Sequence, residues 1–545
     1  MNHGKIGLNT GSPESFTTAA AWIRQCSRSH FLCAADFKSR RRLPTRLLDV
    51  GDTCTTSQIH IVLSETLPSD TKYLALSHCW GAKPVCKLTT SSEFSFYEGI
   101  EVSKLSKTFQ DAIYVTEIFQ KEFGVRYLWI DSLCIIQDSV EDWQSESAVM
   151  GEVYQNAFCT IAATASEDGT GGLFFERDPL WRKPCLIPVV FNGLYVNHFY
   201  CADQYEWAKK VSRAPLNGRS WVLQERLLSH RVLHFAADQL YWECAELEAS
   251  EVFPVSLPLD FGEKFKNWFP QAENPMKDMQ ATIRNAASSY SLDVYVKWEK
   301  IVQAYTSGNL TKVTDKLVAL SGVAREIRRR AIPQDTYLAG LWRHDLIFEL
   351  LWDLVERPLL QPQSHSRRYV APSWSWASRT GAVKWERENW LTANTLVKAE
   401  DASVTGLGLD DMGQLSSGYI RLSGVLIRAS LRRVHQPGSS EPRASLQVGN
   451  ITLYGATNRA DDGFSFRYPI PEPIYCLALL RGSRNSVPNY RGLFLTPSGA
   501  QDGRFRRYGT FTAECFESFF LVPSSTVSLE GEIRRANGRC VVTII

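Results

Sequence analysis

Between residues 73 and 166 the hydrophobic positions switch repeatedly between two periods. The short apolar run Tyr73 to Ser77 predicts a strand that ends in His-Cys-Trp-Gly. Thr108 to Phe123 places Phe109, Ile113, Thr116, Phe119 and Phe123 on one side of a helix, with Gly124 as its stop. Tyr127 to Asp131 reads as a second buried strand. Ser139 to Gln155 is helical again, because Val140, Trp143, Ser147, Met150 and Tyr154 recur at spacings of three and four, and Ser139 with Asp142 opens it. Phe158 to Ala163 is a third strand. Apolar strands separated by helices predict a parallel sheet covered on both faces, hence an α/β fold.

Upstream, residues 14 to 36 predict one helix whose Trp22, Cys26, His30 and Cys33 share a buried face. The basic run Lys38, Arg40, Arg41, Arg42 and Arg46 follows and reads as a solvated turn or, less often for such runs, a nuclear-import signal. Downstream, Trp221 to Ser229 predicts a helix, with strands at Arg231 to Phe235 and Gln239 to Glu243. Pro254, Pro258, Pro270 and Pro275 mark a loop-rich stretch, and 285 to 357 is patterned as helices. After 415 the pattern becomes short alternating strands, among them Tyr419 to Ile427, Ile474 to Leu480 and Phe516 to Val522. The last is a hairpin of Gly531 to Ala536 with Arg539 to Ile545 about an Asn537-Gly538 turn. Four regions result: an N-terminal helical segment (1–45), an α/β domain (46–250), a helical middle region (251–380) and a β-rich C-terminal domain (381–545).

Composition narrows the function classes. Lys+Arg at 60 against Asp+Glu at 58 gives a net charge of +2, so no global field attracts nucleic acid or an anionic membrane. With 44% hydrophobic and 22% charged residues the chain can bury large cores, and a mainly disordered protein is excluded. Met1 to Ser12 contains no apolar leader, and even Tyr127 to Ile136 is interrupted by Asp131, so neither secretion nor a membrane span is expected. The 13 scattered cysteines fit reduced thiols and a cytoplasmic protein.

In an open parallel sheet, ligands bind beyond the carboxyl ends of the strands. That rule selects Ser77, His78, Trp80 and Gly81 after the first strand, and Asp131, Ser132, Cys134 and Gln137 after the second. After the third come Ser166, Glu167, Asp168 and the run Gly169-Thr170-Gly171-Gly172. The glycine run reads either as a backbone cradle for phosphate or as a plain surface loop, since no GxGxxG or P-loop pattern accompanies it. His78 with Cys134 or Ser132 and Asp131 has the residue types of a nucleophile, base and orienter. Trp80, Trp129 and Trp221 read as core aromatics. A helix over 219–226 puts Glu225 four residues from Trp221, beside Arg219 and Gln224, where a carboxyl against an aromatic wall can have a raised pKa. Cys26, His30 and Cys33 have the types of three zinc ligands with Cys54 as a fourth, but the usual paired CxxC clusters are absent and no metal site is assigned.

Tyr73-Leu-Ala-Leu-Ser-His-Cys-Trp-Gly81, Leu128-Trp-Ile-Asp-Ser-Leu-Cys-Ile-Ile-Gln-Asp138 and Arg219 to Ser229 resemble, in order and spacing, the three signature blocks of the fungal heterokaryon incompatibility (HET) domain. The resemblance implies an effector of non-self recognition and programmed cell death. It also implies a sheet core like that of Toll/interleukin-1 receptor domains, some of which cleave NAD. By that relation NAD is a substrate rather than a resident cofactor, and the required carboxylate is Glu167, Glu176 or Glu225. Two rival readings stand beside it: a non-enzymatic module acting through protein partners or self-association, and a hydrolytic or biosynthetic enzyme on the same scaffold.

Overall fold

The computed structural model describes residues 6–35, 42–51, 57–82, 85–178, 185–192, 194–258, 261–268, 286–355, 369–408, 410–434, 443–448, 451–453, 457–460, 473–484, 487–499, 503–514, 535–536 and 539–545. The chain divides into two units, Met1–Ala286 and Ala287–Ile545.

The first unit begins with α1 (Pro13–Ser29), opened by the Ser12 side chain and Pro13 in its first turn. The single helix expected over 14 to 36 is broken: His30 adopts φ −87°, ψ 110°, and α2 (Phe31–Ala35) restarts beyond it. Next come β1 (Arg46–Asp49), β2 (Gln58–Leu63), β3 (Tyr73–Ser77), α3 (Glu93–Glu98) and β4 (Ile100–Glu101). α4 (Lys107–Phe123) ends on Gly124 at φ 69°, whose left-handed backbone closes the helix. β5 (Tyr127–Trp129) leads into the short α5 (Asp131–Cys134), and α6 (Val140–Asn156) starts where Ser139 accepts from the Asp142 N–H. After β6 (Cys159–Ala162), β7 (Cys185–Phe191) and β8 (Leu194–Cys201) pair as a separate hairpin. α7 (Ser220–Leu228), β9 (Arg231–Phe235), β10 (Leu240–Cys244) and β11 (Glu248–Ser250) complete the unit.

One nine-stranded sheet organises these elements in the order β11-β10-β9-β6-β3-β5-β1-β2-β4. Its centre, β9-β6-β3-β5, is parallel, as the alternating strand and helix pattern predicts. The flanks, outside the span of that expectation, are antiparallel: β1 runs antiparallel to β5 and β2, and β10 runs antiparallel to β9 and β11. The links from β9 to β10 and from β10 to β11 are too short for a crossover, so those strands must return as hairpins. The fold is mixed α/β. Its core gathers Leu74, Leu76, Phe109, Ile113, Leu128, Trp129, Tyr154, Ile161, Leu233 and Trp242 from strands and helices alike.

In the second unit the helices Ala286–Ser307 and Val318–Arg330 match the start of the predicted helical stretch. Beyond Arg330 the elements become short, the one-turn helix Leu346–Glu349 standing among strand pairs and turns, and Trp342, Trp352, Trp374 and Trp376 are buried. Asn394–Thr395 and Lys398–Gly406, ahead of the alternating pattern read after 415 but within the 381–545 region, already contribute to a twelve-stranded sheet. Arg535–Ala536 pairs antiparallel with Arg539–Cys540, as the terminal hairpin requires. Its Asn537-Gly538 turn and the predicted strand 516–522 lie outside the described residues.

Candidate functional site

Parallel strands deliver their carboxyl ends to one edge of the sheet, and there the polar residues of three distant segments meet. Ser77, the last residue of β3, donates its hydroxyl to Glu225 Oε2 at 2.5 Å, across 148 positions of sequence. α7 carries Glu225 to that edge with 3% exposure. The Tyr154 hydroxyl of α6 bonds the Leu76 carbonyl at 3.2 Å and also interacts with the Glu225 carboxyl. The Arg219 guanidinium, immediately before α7, donates to the His78 carbonyl oxygen and so ties the first residue beyond β3 to the start of that helix.

Above this floor stands a half-buried rim. Trp80 Nε1 donates to Asp131 Oδ2 at 2.9 Å, while Asp131 Oδ1 accepts from the Ser132 N–H at 2.7 Å. Trp80 is therefore a rim residue and not the core aromatic its sequence setting suggests; Trp129 is buried, and Trp221 packs half-buried on the core. The Lys87 ammonium lies 4.8 Å from the Trp80 ring centroid. Gly81, at φ +67°, lets the chain turn against Asp168, whose Cβ stands 2.3 Å from where a side chain on Gly81 would begin.

His78 is buried edge-on to Phe109, with ring centroids 5.0 Å apart. Asp131 Oδ1 lies 3.8 Å from His78 Nε2, and among the described residues that nitrogen has no hydrogen-bond partner. Burial pulls His78 down to about 4, so the ring is neutral at physiological pH. Burial pushes Glu225 the other way, to about 7, although the Arg219 charge and the Ser77 hydroxyl both favour its ionised form. A carboxyl titrating near neutrality can hold or accept a proton in the same pH range, which suits general acid–base work or stabilisation of a developing cation.

The remaining sequence candidates fall elsewhere. Cys134 is fully buried in α5, its thiol pushed up to about 12 by burial, which removes the thiolate a nucleophile needs. Gln137 braces α5 by donating to the Asp131 and Ile135 carbonyls at 3.1 and 2.9 Å, and Gln224 is buried. Glu167 is exposed beside Asp168, near the Gly81 turn. Glu176 is exposed and bonded to Asn9 at 3.0 Å, on a short bridge to the N-terminal segment. Backbone donors in and beside the glycine run are bonded within the protein: Thr170 and Gly171 N–H to Asp168, Gly172 N–H to Thr108 and Leu173 N–H to Asp111. That use is the surface-loop reading. Tyr154 was readable only as one more residue on the buried stripe of α6; a tyrosine at such a position needs a partner for its hydroxyl, and that need was the available signal.

The arrangement defines an α/β domain with a buried carboxyl centre at the carboxyl edge of its sheet. Residues 73–225 match the family model described as Heterokaryon incompatibility protein (HET), a match that opens on the first residue of β3 and closes on Glu225. The chain thus carries a heterokaryon incompatibility (HET) domain over residues 73–225. No curated protein and no solved structure matches it.

Proposed function

We propose that this chain is an effector of fungal non-self recognition and programmed cell death that cleaves NAD at the Glu225 centre. The observation behind the reading is the Ser77–Glu225 hydrogen bond, which joins the first and third blocks of the matched region beside Asp131 of the second. Hydrolysis of NAD breaks the bond between ribose C1′ and the pyridinium nitrogen, whose electron pair leaves with neutral nicotinamide. Water adds to C1′ and loses one proton, giving ADP-ribose. A carboxylate beside the ribose stabilises the oxocarbenium-like state and takes the proton of the attacking water. Glu225, poised at about 7, has the ionisation for both tasks. Arg219 and Lys87 supply cations for a pyrophosphate, and neither Glu167 nor Glu176 has comparable support.

The 3% exposure of Glu225 favours a second reading, in which the centre locks the three blocks together and the protein acts non-enzymatically through self-association or partners. Nicotinamide release from NAD by the purified full chain, under conditions where it assembles, separates the two. The NAD reading expects release that Glu225→Gln abolishes with circular dichroism and melting temperature unchanged, and that Glu167→Gln and Glu176→Gln retain. No release from the assembled chain overturns it and leaves the assembly module.

A further inference from the structure

A second cluster of reactive side chains lies away from the Glu225 centre. Cys26 of α1, His30 at the break between α1 and α2, Cys33 of α2 and Cys244 at the end of β10 turn their ligand atoms toward one point, all within 4.8 Å of one another. All four residues are buried, and the three cysteines are free thiols. We propose that these residues form a structural zinc site that fastens the N-terminal helices to the sheet.

The geometry is close to what the ion requires. A tetrahedral zinc with Zn–S near 2.3 Å and Zn–N near 2.0 Å sets ligand-to-ligand edges of about 3.5–3.8 Å. His30 Nδ1 lies 3.3 Å from Cys244 Sγ and 3.9 Å from Cys33 Sγ. Four protein ligands fill the coordination shell, leaving no position for water or substrate, which marks a structural rather than a catalytic site. Three thiolates and one zinc carry a net negative charge, and the Arg231 guanidinium answers it by donating Nε–H to Cys26 Sγ at 3.2 Å.

The break at His30 acquires a reason in this light. A continuous helix would keep His30 and Cys33 in line with Cys26 along one stripe, whereas the extended backbone at His30 folds α2 back so that the side chains converge. The fourth ligand expected from sequence, Cys54, lies outside the described residues, and Cys244 occupies that role from 211 positions beyond Cys33. Zinc binding would couple the α1–α2 corner to β10, the strand whose Glu243 also anchors α7.

Metal analysis of the full chain, purified without chelator from zinc-supplemented medium, is the test. The site predicts one zinc per chain, lost in Cys26→Ser, Cys33→Ser, Cys244→Ser and His30→Ala, and kept in Cys476→Ala of the second unit. His30→Cys should retain the metal, because it restores a ligand, a result that a merely structural histidine does not give. Cobalt(II) added to zinc-depleted wild-type chain reads the geometry without any variant, and should produce the intense visible bands of tetrahedral coordination with thiolate charge-transfer absorption. Wild-type chain lacking stoichiometric zinc and giving no such spectrum overturns the site, as does zinc that the ligand variants retain.

Discussion

Glu225 and Arg226 are consecutive residues of α7, yet their charged groups belong to two separate buried networks. The Glu225 carboxyl meets Ser77 at the end of β3, whereas the Arg226 guanidinium forks onto Glu243 of β10 at 2.7 and 3.1 Å. Successive residues on a helix diverge by about 100°, so one short element serves the candidate centre with one residue and the framework with the next. Damage to the two networks is therefore separable.

The framework side should be the costlier to break. Arg226 and Glu243 are both buried, His234 Nε2 lies 3.3 Å from the same carboxylate, and the Arg226 charge holds Glu243 well below the ordinary carboxylate range despite its burial. Arg226→Met takes the bidentate partner from that carboxylate, leaving it to His234 and the Lys266 charge, and is expected to cost about 3–5 kcal/mol. The double variant Arg226→Met/Glu243→Leu removes both charges and should recover much of the loss. Scanning calorimetry on the full chain, following the transition that the single variant lowers, checks both statements; equal destabilisation by the single and double variants would mean that packing, not the stranded charge, sets the cost.

Local signals in the sequence located the strands that frame the centre. Tyr73–Ser77 and Arg231–Phe235 form where the apolar runs predict, the Ser139 cap and Gly124 stop bound their helices as read, and Ser77, His78, Asp131 and Arg219 do converge at one edge. What periodicity cannot encode is the partner of a long-range contact. Ser77 and Glu225 are 148 positions apart, and His30 and Cys244 are 214 apart. The same limit explains the choice among Glu167, Glu176 and Glu225, which depends on burial and partners. It also explains Trp80, whose indole N–H finds Asp131 across 51 positions and so stays at the rim.

The pH dependence of stability should contain two opposed contributions. Glu225 titrates near 7 when folded against an ordinary 4.5, so the folded state holds a proton that the unfolded state releases, and stability falls as pH rises from about 4.5 to 7. His78 titrates near 4 against an ordinary 6.5, so the unfolded state takes up a proton that the folded state refuses, and stability falls as pH drops from about 6.5 to 4. Each amounts to about 3 kcal/mol over its full window, and the slopes cancel between about 4.5 and 6.5. Glu225→Gln should unmask a rise in melting temperature with pH across that interval, and His78→Gln a fall. Profiles of both variants parallel to wild type would show that neither group is shifted.

Gly81 and Gly124 share the left-handed backbone, at φ +67° and +69°, but not their surroundings. An alanine at either position carries about 1–2 kcal/mol of backbone strain. At Gly124 nothing stands within 4 Å of the added methyl, so strain is the whole cost. At Gly81 the methyl would begin 2.3 Å from Asp168 Cβ and 3.1 Å from its Cα, so the loop carrying Glu167 must move. Gly81→Ala should therefore lower the melting temperature more than Gly124→Ala. Equal shifts would mean that the loop yields freely and that its position beside the rim is not fixed by this contact.

The Ser77 hydroxyl discriminates between the two forms of the Glu225 carboxyl. It donates to Oε2, and that donation favours the ionised acid against the burial that opposes it. Ser77→Ala removes the donor, so Glu225 should titrate still higher than about 7, and the cost of the substitution should depend on pH. Near pH 8 the wild-type carboxylate is ionised and loses a charge-assisted bond, a cost of about 1.5–3 kcal/mol. Near pH 5 the acid is protonated with or without the hydroxyl, so the loss shrinks toward that of an ordinary neutral hydrogen bond, about 1 kcal/mol. Ser77→Thr keeps the donor and should track wild type more closely at both values. The melting-temperature difference between Ser77→Ala and wild type, measured at pH 5 and pH 8, decides the matter: a difference that grows with pH identifies an ionisable carboxyl held by this serine, and one that is constant rejects it.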